Sequence, residues 1–188
     1  MNIDLIKSPI ELYEYMNNNI KYGFKDQNGN IYNPNSSFFN KNLVNKWVYK
    51  NPEDIINEEY GICYDQVLLE SLWFKRHNYT FKTYFMIFEL PYENNYSTHT
   101  FLIYKENGFW YYFENADYKN RGIYRFNNID GIIKYRIDIQ VRENLNNGLT
   151  KDEINSLKIY EYKYISSNLG FIQYINEVIK NGKEYIIK

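Results

Sequence analysis

Cysteine is almost missing from this chain: Cys63 is alone among 188 residues, so no disulfide within the chain can staple it. A single unpaired thiol fits a reducing compartment, and the expected location is cytoplasmic. Histidine is nearly as scarce, with His77 and His99 only. Two imidazoles and one thiol cannot close a structural zinc site without carboxylates, so neither metal nor cofactor is expected. No glycine-rich phosphate loop occurs. No stretch approaches the ~20 apolar residues of a membrane span, and Met1 to Lys7 lack the basic start and apolar core of a secretory signal. Charge of one sign is nowhere concentrated: 22 basic and 23 acidic residues are interspersed, for a net charge of −1. That leaves no basic footprint for nucleic acid, and no membrane surface is expected as a partner either.

Aromatic residues are abundant, with 22 tyrosines and 12 phenylalanines. Tyrosines can stack on bases, but here they fall in alternating runs that suit half-buried strands. The length is that of one domain spanning 1–188, able to bury a core unaided.

Ser8-Pro9-Ile10-Glu11 places a capping serine before a first-turn proline, and the spacing predicts a helix over about 9–20. Gly23 to Asn45, rich in Asn, Gly and Ser, reads as a long irregular connection of the kind that borders sites. Asn51-Pro52 opens a short second helix, and Gly61 is expected to end it. A third helix runs over about 63–76, with Val67, Leu68, Leu72 and Trp73 as its buried stripe. His77, beside Lys75 and Arg76, reads as a solvated charge at its C-terminal end. From Thr80 the period becomes two. Strands are expected at 81–88, 98–104 and 109–114, with Asn107-Gly108 as a tight hairpin turn, and another around 132–139. Thr150 and Glu153 form a capping box, and a final helix covers about 169–179, within a helical extension of about 150–182. Helices, then an antiparallel sheet, then helices make an α+β fold.

Cys63 stands where a helix begins, so its thiolate should be stabilised by unpaired N–H groups and the helix dipole, lowering its pKa. A two-residue turn pairs Ile103 with Tyr112 and Phe101 with Glu114, which puts His99 and Glu114 on one face of the sheet. A four-residue loop would set Glu114 directly opposite His99. Only an odd-length loop would bring Asn115 there instead. A cysteine, a histidine and a carboxylate can act as nucleophile, base and orienter. A lone cysteine or histidine is ordinarily a packed residue, but glutamate amid strand aromatics is costly to bury unless paired. The three together favour the catalytic reading.

Gly61-Ile62-Cys63-Tyr64-Asp65-Gln66-Val67, followed by a helix, resembles the nucleophile segment of transglutaminase-like proteins. Thr98-His99-Thr100-Phe101 and Trp110 to Glu114 resemble that family's histidine strand and its Trp-then-acid strand. The likeness covers about 50–125. It implies a papain-like core, with a cysteine-bearing helix packed on an antiparallel sheet carrying histidine and acid. Carried over, Cys63 is the nucleophile, His99 the base and Glu114 the orienter, with glutamate where the family usually has aspartate. The function so implied is cysteine-dependent acyl transfer on an amide, most simply a thiol hydrolase (peptidase or protein deamidase) whose partner is a peptide or protein substrate. The rivals are a catalytically silent binding module and an amine-incorporating transglutaminase.

Overall fold

The computed structural model describes residues 3–89, 96–146, 148–163, 165 and 167–186. A short 3₁₀ turn precedes α1 (Pro9–Asn19), where the Ser8 hydroxyl accepts the Glu11 amide as the sequence predicts. The stretch expected to be irregular holds a small hairpin, β1 (Phe24–Lys25) and β2 (Ile31–Tyr32), and then α2 (Phe39–Lys46). These elements are too short to produce a periodic signal. Next come α3 (Pro52–Glu58) and α4 (Cys63–Arg76), the latter with the bounds expected. Glu59, not Gly61, takes the left-handed turn that ends α3. His77 is half-buried rather than fully solvated: its ring stacks on Trp73 at 4.1 Å between centroids, and its Nδ1 lies 2.9 Å from the Trp73 carbonyl.

The strands are β3 (Thr80–Glu89), β4 (Tyr96–Glu106), β5 (Phe109–Glu114) and β6 (Gly122–Phe126). After them come α5 (Ile129–Asn146), α6 (Lys151–Ile154), β7 (Lys158–Tyr162), α7 (Phe171–Asn181) and β8 (Lys183–Glu184). Six strands form one antiparallel sheet in the order β6-β5-β4-β3-β7-β8. The Asn107-Gly108 turn has positive φ at both residues, as a two-residue hairpin with right-handed strands requires, and it pairs Glu106 with Phe109.

Two sequence expectations fail here. Residues 132–139 lie inside α5, not in a strand. Ile132, Ile133, Arg136, Ile139 and Gln140 are the buried positions, a helical spacing that the β-branched isoleucines disguised. The C-terminal extension is not purely helical, because β7 enters the sheet beside β3.

Alternation then makes a three-layer structure. Leu102, Tyr104 and Phe113 pack under α1 and α4, with Val67, Leu69, Trp73 and Phe74. Tyr84, Met86, Phe101, Ile103 and Tyr112 face the other way and pack with Ile132 and Ile133 of α5. Among the described residues no helix is long and apolar enough to cross a membrane.

Candidate functional site

Cys63 is the first residue of α4, and Asp65 organises the turn that presents it. One Asp65 oxygen accepts the Ile62 amide and the Trp47 indole N–H, each at 3.0 Å. Gln66 donates back to the Gly61 carbonyl at 2.9 Å. Gly61 is needed for closeness rather than for rotation: a Cβ there would lie 3.0 Å from the Asp65 Cβ. Asp65 is fully buried, and that burial raises its carboxyl to about 6 against the pull of Trp47, Lys50 and the Ile62 amide.

His99 and Glu114 meet directly. His99 Nε2 lies 2.8 Å from a Glu114 oxygen, on the sheet face turned toward α5. The Tyr112 hydroxyl donates to that same oxygen. The other Glu114 oxygen accepts the amides of Ala116 and Asp117 at 2.8 and 2.9 Å. Burial works to raise this carboxyl, but His99, Arg136 and Tyr112 outweigh it and hold it at about 2. Since Nε2 is engaged with the carboxylate, Nδ1 is the ring nitrogen left to accept a proton. Asn115 points elsewhere, its amide toward the Met16 sulphur at 3.8 Å.

The α4 face and the α5 face communicate where β5 turns away. Pairing of β4 with β5 ends at Leu102 and Phe113, and beyond it the Thr100 amide lies near enough to the Cys63 sulphur to favour its thiolate. The nucleophile candidate is thus close to the residue next to His99. Among the described residues, however, no hydrogen bond joins Cys63 to His99. The Tyr22 hydroxyl lies on the thiol instead. Cys63 is only 5% exposed. Burial pushes its thiol up to about 12, with the Glu114 and Asp65 charges adding to the shift and the Thr100 and Tyr64 amides opposing it. The lowered pKa expected from the helix start is overturned: desolvation and two nearby carboxylates exceed what the N-terminal amides supply. The resting form is a neutral thiol.

A cleft of about 340 Å³ opens beside His99, bordered by Tyr22, Thr98, Asp117, Glu143 and Asn144. Sequence reasoning missed Arg136, which is 1% exposed, donates a hydrogen bond to Gln140 at 2.6 Å and is ion-paired with Asp117 at 3.3 Å. The available signal was an arginine on the apolar stripe of a helix, hidden by reading that stretch as a strand. Among the described residues, no group of three or more His, Cys, Asp or Glu side chains is placed to hold a metal ion.

A family model described as transglutaminase-like domain matches residues 2–121, more than half of the chain, including Cys63, His99 and Glu114. No curated protein matches the chain. Cysteine-based acyl transfer is the general chemistry of that family. The chain belongs to the transglutaminase-like domain family.

Proposed function

We propose that this protein is a thiol hydrolase acting on carboxamides of peptides or proteins, with Cys63 as nucleophile, His99 as base and Glu114 as orienter. The reading rests on one observation above all: the hydrogen-bonded His99–Glu114 pair sits one residue from Thr100, whose amide acts on the Cys63 thiol. In the proposed reaction the sulphur attacks the carbonyl carbon while its proton passes to His99 Nδ1. The Cys63 amide, at the start of α4, meets the oxyanion. The C–N bond breaks, His99 returns the proton to the leaving amine, and an S-acyl thioester remains. Water, deprotonated by the same nitrogen, attacks the thioester. The C–S bond breaks, the carboxylate departs and the sulphur regains its proton.

The neutral, covered thiol means that substrate must displace Tyr22 before reaction. Iodoacetamide should therefore label Cys63 slowly at neutral pH, and Tyr22→Ala should speed labelling severalfold, read by mass spectrometry. Ammonia release from glutamine-containing peptides tests the function itself. Cys63→Ala and His99→Ala should abolish it, and Glu114→Gln should lower it by roughly 10²–10⁴-fold. Ammonia release that survives Cys63→Ala would refute the assignment. With a labelled primary amine present, hydrolysis should outrun incorporation; the reverse makes the protein a transferase.

The near-complete burial of Cys63 favours a second reading, a binding module that holds a peptide in the His99 cleft without turnover. Peptide binding that is unchanged by Cys63→Ala, with no turnover by either form, would establish it.

A further inference from the structure

The helical layer leaves a gap over β7. Between the later turns of α4, the approach to α3 and the chain following β7 lies a cavity of about 560 Å³, larger than the cleft at His99. It includes none of Cys63, His99 and Glu114. Its walls are hydrocarbon and ring: Pro52, Leu68, Leu72, Phe81 and Ile165 are representative. Most of the surface facing the cavity is apolar, although Asn51, Ser71, Thr83 and Ser167 also line it, and the Thr83 hydroxyl is already occupied, donating to the Tyr162 carbonyl at 2.5 Å.

The border is different. Lys50, Lys75, Lys82 and Lys163 all line the cavity, against Glu161 as the one lining carboxylate among the described residues. Lys82 is spent on Glu161 at 2.7 Å, and Lys50 is paired with Glu58. Lys75 and Lys163 have no carboxylate partner among the described residues. An apolar hollow bordered by two unpaired ammonium groups complements one chemistry: a long alkyl chain that ends in a carboxylate.

We propose that this cavity binds a free fatty acid, with its chain between α4 and β7 and its carboxylate at the border, met by Lys75 and Lys163. A peptide fits less well, because amides buried against the predominantly apolar surface of the cavity would go without partners there. A neutral hydrocarbon makes no use of the lysines, and a cationic amphiphile is repelled by them. At about 30 Å³ per methylene-sized group, the cavity of about 560 Å³ has room for a chain of up to about eighteen carbons.

Calorimetric titration of the full chain with octanoate, decanoate and dodecanoate, below their micelle limits, tests this. Affinity should rise roughly fourfold with each methylene and reach the micromolar range at dodecanoate. Dodecyltrimethylammonium, with the same chain and the opposite charge, should bind at least roughly tenfold more weakly. Lys75→Ala combined with Lys163→Ala should weaken dodecanoate roughly three- to tenfold and flatten its salt dependence. Ser71→Phe, which places a ring in the cavity from α4, should abolish binding while circular dichroism stays native. Should that variant not fold, the comparison of anion with cation on the wild-type chain decides alone. Equal binding of the two head groups, no dependence on chain length, or no binding of dodecanoate would each overturn the proposal.

Discussion

Among the described residues three carboxylates lie in the interior, Asp65, Glu70 and Glu114, and the same burial leaves two of them, Glu114 at the end of β5 and Asp65 in the first turn of α4, with pKa values moved in opposite directions. Glu114 is 2% exposed and held at about 2, whereas Asp65 is 0% exposed and raised to about 6. Both are penalised by desolvation. The difference is in what surrounds them. Each Glu114 oxygen receives two donors, and the Arg136 guanidinium stands nearby. One Asp65 oxygen takes two donors and the other has no hydrogen-bond partner. Burial sets the cost of a charge, and the number of donors decides which way the pKa moves.

The sharpest way to break this comparison is Glu114→Ala. It strands the Tyr112 hydroxyl, two amides and part of the Arg136 charge, and should cost about 4 kcal/mol in urea unfolding at neutral pH. The pH dependence comes next, and the two sites carry opposite signs. Glu114 has a folded value below its ordinary 4.5, so its contribution of about 3 kcal/mol is present above that value and lost as pH falls through about 2. Asp65 has a folded value above its ordinary 3.8, so the folded state holds the extra proton between 3.8 and about 6. Stability therefore falls by about 3 kcal/mol as pH rises through that window. Asp65→Asn should remove this slope, which chemical denaturation at a series of pH values would reveal.

Arg136→Met should cost about 2 kcal/mol and move the acid-unfolding midpoint associated with Glu114 upward, since a cation that favours its charge is gone. Tyr112→Phe, the mildest change, deletes one donor and should cost about 1.5 kcal/mol. An unchanged acid midpoint in both variants would mean that His99 and the two amides alone hold the carboxylate.

The sequence made one of these two environments far more legible than the other. Side-chain alternation and the Asn107-Gly108 turn placed His99 and Glu114 on one face, because a hairpin register follows from local turn geometry. The bounds of α4 came out as expected, but its stripe only in part: Val67 and Trp73 are buried, Leu68 and Leu72 are half-buried, and Leu69 and Phe74 are buried instead. Arg136 was not legible, since its approach depends on α5 crossing the opposite face of the sheet, and a run of isoleucines reads equally well as a strand. The raised thiol of Cys63 was hidden for the same kind of reason. A helix start is local, whereas the Tyr22 cover and the Glu114 field come from distant parts of the chain.

The place of β7 has a consequence for how the molecule is made. During synthesis β3 and β4 leave the ribosome well before residues 158–162, so one side of β3 waits without its neighbour. Its Thr83 to Ile87 backbone is then an open template for any passing strand, flanked by Phe85 and Ile87. A fragment cut back to the family-matched 2–121 would keep that side open permanently and should aggregate or exchange strands, although it retains Cys63, His99 and Glu114. β7 acts as the sheet's own stopper, and that side of β3 becomes safe only once residues 158–162 have been made and have paired.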